Sequence, residues 1–438
     1  MFKKYVQWRL ERLVKKYLKK HKPKLIVVVG SVGKTTIKNN IANVLARKFH
    51  VIYNPGNLNS KEISVQLAIV GLNEPSKEDL RRPKAWFAIF KYIKKRIKQP
   101  SDVDVIVQEL GMDRPGEIPH FGKYLRPDIA VVTAVAPEHM ENFPGGLEEI
   151  AREELSVAGY SDLTIINRDD VSDQYASLAD TTNITTYGLN GGEYHLEILS
   201  GAPLEGYRCK FYGPEFSNGV ETVINLLGEH GIKSALAAIT VAAKMGMSGE
   251  DISAAVQELR PVEGRMNPLH GLRGSTIIDD TYNAQPIAMK EAIRTLYQIE
   301  APQKIAILGS MNELGQMSAE AHREIGNFCE PGLLNWVITI GEDAANYLAP
   351  AAKQKGNTVR SFPDPISAGA FANKILEDDA VVLVKGSQNG VFAEEATKIL
   401  LGSIDDADKL VRQNPRWMEA KAEWLSSLKN PSQNQGQQ

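Results

Sequence analysis

Apolar residues along the chain fall into short runs separated by longer stretches with helical spacing. The runs at 25–29, 103–107, 129–135 and 163–166 are too short for helices and rich in Val and Ile, so they predict buried strands. Between them apolar positions recur every three to four residues at 34–48, 61–71 and 147–158, which predicts helices. This alternation is the rhythm of an α/β domain with a mostly parallel sheet. From 184 to 227 the runs become shorter, at 194–199, 207–212 and 222–227, with turn residues between them, and a small antiparallel addition is expected there. A helical stretch at 231–258 follows. That pattern stops around Arg260-Pro261-Val262-Glu263-Gly264-Arg265, and new strand-like runs appear at 275–278, 304–308, 336–340 and 381–384. They predict a second α/β domain with Rossmann-like topology.

Two other segments are helical but basic. Phe2, Val6, Leu10, Leu13, Tyr17 and Leu18 recur near helical spacing among lysines and arginines, so 2–20 reads as a basic amphipathic helix, and 86–98 after Pro83 reads the same way. Each fits a helix docked on its own domain with a solvated basic face; together they also fit contact with a membrane surface.

Composition narrows the class. At 438 residues the chain exceeds one typical core, so two or three domains are expected. The net charge of −2 says nothing about partners, but residues 1–24 are strongly basic, with Glu11 their single acid. Two distant cysteines, Cys209 and Cys329, match no metal-ligand spacing and point to a reducing, cytoplasmic setting. No apolar stretch is long enough to span a bilayer, and the N-terminus has the charge of a signal peptide without its apolar core. The last residues, 430–438, are polar and of low complexity, and disorder is expected there.

The first apolar run ends in Gly30-Ser31-Val32-Gly33-Lys34-Thr35-Thr36 and leads into a helical pattern. Strand, glycines, lysine and hydroxyl in that order make a phosphate-binding loop. The glycines let backbone N–H groups approach an anion, Lys34 supplies a mobile positive charge, and the Thr35 hydroxyl is placed to ligate Mg²⁺. The match is to the shorter form of the motif, because Val28 stands where the longer form has glycine. Glu109 ends the next strand-like run, where a carboxylate holds the Mg²⁺ of a nucleotide on a neighbouring loop. His139 follows the run at 129–135 at the corresponding edge.

At these residues the chain resembles the Mur ligases, the ATP-dependent amide-forming enzymes of cell-wall peptide assembly. The resemblance rests on the loop, Asn57-Leu58-Asn59, Glu109-Leu110-Gly111 with Gly116-Glu117-Ile118, and His139 before Phe143. It continues through Gly228-Glu229-His230, Gly264-Arg265, Asp279 to Ala284, Gly309 to Gly315, and Val384-Lys385-Gly386-Ser387. It implies that ATP phosphorylates a substrate carboxylate and that an amine displaces the phosphate. Lys34 would hold the β and γ phosphates within a cradle of Gly30, Ser31, Gly33, Thr35 and Thr36. Thr35 and Glu109 would bind one Mg²⁺, His139 a second, and Arg265 and Asn283 the nucleotide. Glu154 stands where the family carries a carbamylated lysine, so a permanent carboxylate is expected to help His139 with the second ion.

The resemblance divides the chain into a basic helix at 1–22, a central ATPase domain at 23–260, a C-terminal ligase domain at 261–425 and a disordered tail at 426–438. Its implied partners are a peptide or muramyl-peptide acceptor and an amino-acid or dipeptide amine, with no nucleic acid. There are departures: Gly231 follows His230, Ser234 precedes Ala235, Ser310 replaces an aspartate, and only about 24 residues precede the first strand, where the family has a UDP-binding domain. The acceptor could therefore be nucleotide-linked, lipid-linked or a carboxylate outside the cell wall, and a non-ligating nucleotide-binding subunit is the rival reading.

Overall fold

The computed structural model describes residues 2–54, 61–73 and 82–429. The Asn57-Leu58-Asn59 motif and the tail at 430–438 lie outside the described residues. Two compact units are present, one of Met1–Ser200, Tyr207–Ile224 and Ile232–Leu259, the other of Gly201–Gly206, Asn225–Gly231 and Arg260–Gln438.

The first unit is built on six parallel strands, β1 (Lys24–Val29), β2 (Val51–Tyr53), β3 (Val105–Glu109), β4 (Ile129–Val132), β5 (Leu163–Asn167) and β6 (Ile184–Tyr187). Their order is β2-β3-β1-β4-β5-β6. β1 therefore lies between β3 and β4, and the loops leaving the carboxyl ends of all three share one edge of the sheet. Register makes this specific, because Val28 pairs with Glu109 and Val29 with Val132. The strands with covered faces read as continuous apolar runs. β2 and β6 were not expected: β2 is three half-buried residues and β6 alternates, so neither leaves the apolar run that marks a central strand.

Among the described residues its first four helices are α1 (Phe2–His21), α2 (Lys34–Leu45), α3 (Lys61–Ile69) and α4 (Pro83–Lys98). The apolar stripe of α1, Val6, Leu10, Leu13, Val14 and Tyr17, is buried in one cluster with Leu25, Val27 and Trp86. At about 2 kcal/mol gross per buried side chain, that stripe fastens the helix to the unit. The stretch expected as one helix at 231–258 is two. One ends at Lys244, and Ser248 caps the next by accepting a hydrogen bond from the Asp251 amide. The antiparallel addition is present as β7 (His195–Ala202), β8 (Gly206–Tyr212) and β9 (Val220–Ile224), with β8 and β9 antiparallel.

The second unit carries six strands, β10 (Asn267–His270), β11 (Thr276–Asp280), β12 (Lys304–Gly309), β13 (Trp336–Ile340), β14 (Val359–Phe362) and β15 (Val381–Lys385), in the order β10-β11-β15-β12-β13-β14. All pairs are parallel except β10 with β11. The two unexpected strands, β10 and β14, are the edges, and both are too exposed to read as apolar runs. The helix Pro415–Lys429 runs past the boundary expected at 425.

Candidate active site

The loop after β1 is a backbone device. Gly30 has φ +125°, and a Cβ there would lie 2.2 Å from Thr133 Oγ1 and 2.9 Å from the Ala134 amide nitrogen, so only glycine fits. Gly33, at φ +84°, makes the left-handed entry into α2. Thr133 donates to the Val32 carbonyl at 2.6 Å and locks the loop's far side. Ser31 is buried, its amide donating to Ala134 O at 3.0 Å and its Oγ accepting from the Ala136 amide at 3.0 Å. Its polar groups thus fasten the loop to the segment after β4. Thr36 is half-buried in the first turn of α2.

Lys34 opens α2, and its ammonium donates to Gly30 O and, at 3.4 Å, to Ser31 O. Glu138 Oε2 lies 3.6 Å away. Burial opposes the charged lysine, yet Glu138, Glu154 and Glu109 together outweigh it and hold its pKa above the ordinary value. Glu154, only 1% exposed, accepts the Gly30 amide at 2.7 Å. Burial pushes its pKa up to about 8; Lys34 pulls the other way, and neighbouring Glu138 adds to the rise. The structure therefore gives Glu154 to the phosphate loop.

Beside Lys34, the Thr35 hydroxyl donates to Glu109 Oε2 at 2.9 Å, and Lys38, one turn further, reaches the same oxygen at 3.3 Å. These are the residues that fit Mg²⁺: two hard oxygen donors at the end of a phosphate loop. The ion's habit is to take few protein ligands and complete its octahedron with water and phosphate oxygens. His139 sits in the left-handed region with Nε2 3.2 Å from Asp113 Oδ1. Among the described residues no three His, Cys, Asp or Glu side chains gather into a metal cage. Thr35 and Glu109, expected at one ion, lie together; of the pair expected at the second, Glu154 lies under the loop and His139 beside Asp113.

Sequence reasoning missed Glu138, Lys38 and Glu153. Lys38 was readable as the residue one turn after Lys34 on α2. Glu138 had no signal beyond its place beside His139. Glu153 accepts the Gly116 and Ile118 amides at 2.9 and 2.8 Å, which binds its helix, Gly146–Leu155, to the start of Glu117–Phe121.

In the second unit Arg265 lies over the Tyr282 ring, 4.2 Å from its centroid. Its neighbours are pinned, the Gly264 amide to Asp279 at 3.1 Å and the Met266 amide to Asp280 at 3.2 Å. Lys385 joins buried Asp280 at 2.7 Å and the Asn283 carbonyl at 2.9 Å. Burial raises Asp279 to about 7, against the hydrogen bond from Thr281.

Fold and loop together define a P-loop, nucleotide-using enzyme class with an additional Rossmann-like unit. Residues 28–242 match the Mur ligase middle domain and residues 264–388 the Mur ligase, glutamate ligase domain; the chain belongs to the Mur ligase family. It is 28% identical over 399 residues to the UDP-N-acetylmuramoyl-tripeptide–D-alanyl-D-alanine ligase of Bacillus subtilis, covering 90% of this chain and 79% of that one. The Haemophilus influenzae ligase of the same name is 26% identical over 389 residues, 87% and 77% of the two chains. Among solved structures, MurF from Acinetobacter baumannii aligns at TM-score 0.74 and 22% identity, covering 90% of this chain and 80% of that one. MurF ligase from Thermotoga maritima in complex with ADP aligns at 0.70 and 24%, covering 90% and 84%. Mur ligases are ATP-dependent amide ligases that use Mg²⁺.

Proposed function

We propose that this chain joins an amine to a peptidoglycan-precursor carboxylate, the amine being an amino acid or D-alanyl-D-alanine and the acceptor a muramyl peptide. A carboxylate oxygen of the acceptor attacks the γ-phosphorus of ATP and ADP departs. The amine nitrogen then attacks the acyl carbon, phosphate leaves, and the amine proton is released. Such transfers need charge neutralisation and position more than covalent help.

The observation that carries this reading is the loop itself, set in a chain that matches the family along both units. Lys34, now turned onto Gly30 O, is the charge for the transferring phosphate, and the Gly30 and Gly33 backbone gives it room. Glu154 holds the loop by its first amide. Thr35 and Glu109 would hold Mg²⁺, which when bound offsets phosphate charge. Arg265 and Asn283 are assigned to the nucleotide, and His139 to the acceptor side of the reaction. The proposed location is the cytoplasm, with contact at the inner face of the membrane.

The test is amide formation, followed by mass, together with phosphate release, using UDP-muramoyl-tripeptide and D-alanyl-D-alanine. Dipeptide-dependent phosphate release with an equal amount of amide is expected. Phosphate release without amide would sink the ligase reading and leave a nucleotide-binding subunit.

A further inference from the structure

α1 and α4 lie side by side and run in the same direction. Arg9 of α1 stands over the Phe90 ring of α4 at 5.6 Å, and eleven residues later Lys20 donates to the Lys98 carbonyl at 3.1 Å. Their amino ends are therefore together, and their outer faces make one surface. Its charge has one sign. The sequences of the two helices contain a single acid, Glu11, which is turned to His120 at 2.8 Å and 17% exposed. Lys15, Lys16 and Lys19 on α1 and Lys91, Lys94 and Lys95 on α4 are all exposed.

The same surface carries aromatic rings that the fold does not bury. Phe87 is 73% exposed, Tyr5 50% and Trp8 46%, and the last two rings are 5.9 Å apart. All three lie in the amino-terminal halves of their helices. The apolar stripe of α1 is already spent on the core, so these rings are additional to what folding requires. Lysines complement an anionic surface, while exposed rings at one level favour the boundary between head groups and acyl chains.

The geometry points to this helix pair as the docking face for an anionic phospholipid bilayer, with Tyr5, Trp8 and Phe87 entering the head-group layer and the lysines resting on lipid phosphates. It specifies the membrane contact of the reading above but does not depend on the ligase chemistry, so either can fail alone. An apolar partner protein would not need such a basic rim.

The experiment is sedimentation of the full chain with vesicles of phosphatidylglycerol and phosphatidylcholine, and with phosphatidylcholine alone. Binding to the anionic vesicles is expected at low salt, with release as salt rises from about 20 mM to about 500 mM and the screening length falls from roughly 20 Å to about 4 Å. K91Q/K94Q/K95Q should weaken binding by about a hundredfold, near fivefold per lysine. Phe87→Ser should cost about tenfold at any salt, since it removes apolar burial. All these positions are exposed, and unchanged thermal melting would show the variants folded. No binding at low salt, equal binding to neutral vesicles, unaltered binding of both variants, or tighter binding to an RNA oligonucleotide than to the vesicles would each overturn the assignment.

Discussion

Around Lys34 two opposed forces meet: burial disfavours its charge, and three nearby carboxyl groups demand it. Lys34→Ala should cut turnover by about a thousandfold, because the transferring phosphate loses its charge partner. It should also lower stability most at alkaline pH, where Glu138 and Glu154 are left without a cation; steady-state kinetics and melting curves at two pH values check both. Glu154 gives a separate pH signature. Its folded pKa, about 8, stands above the ordinary 4.5, so the folded protein holds a proton there that the unfolded chain has lost. This contribution to stability is complete below the unfolded value, declines as pH rises and is gone above about 8. Glu154→Gln keeps an acceptor for the Gly30 amide but cannot titrate, so its melting temperature should vary less than that of wild type between these limits. An unchanged slope would remove Glu154 from the buried carboxyl pair.

The strand-to-helix element holding these residues was legible because its parts are consecutive: an apolar strand, two glycines, Lys34 and Thr35. What holds the element was not, since Thr133, Glu138 and Glu154 come from elsewhere in the chain and meet it only through the β3-β1-β4 order. The same physics explains the missed strands: edge strands and three-residue strands lack two covered faces, so they lack the pattern that reveals central ones. The backbone turn itself is testable. Gly30→Ala puts a methyl against Thr133 Oγ1 at a φ that alanine resists, so a loss of about 3 kcal/mol is expected in denaturant titration, with nucleotide binding abolished. Stability within error of wild type would mean the loop has room that this geometry denies.

Over the whole chain, the two β-α alternations announced the two α/β units, and the ordered motifs announced the family, because both are written in local sequence. The chain beyond residue 388, where the family match stops, was read only as the end of a domain and a tail. It forms a buried four-charge cluster. Glu394, wholly buried, takes both oxygens to Arg412 at 2.8 and 2.6 Å, and Lys421 lies 2.9 Å from Glu394 and 2.6 Å from Glu395. Arg412 also donates to the Tyr282 carbonyl and the Thr281 carbonyl, so the cluster supports the turn that carries Asn283. Two cations balance two anions, and the loss of one leaves a buried charge without its partner, a cost of about 3–5 kcal/mol. Lys421→Met should therefore lower stability by about that amount in urea. Adding Glu395→Gln removes the surplus anion, and the double variant should recover most of the loss while each single change remains harmful. If Lys421→Met is as stable as wild type, or the second change gives no recovery, the helix at Pro415–Lys429 is held by its apolar contacts and the ion cluster is incidental to the fold.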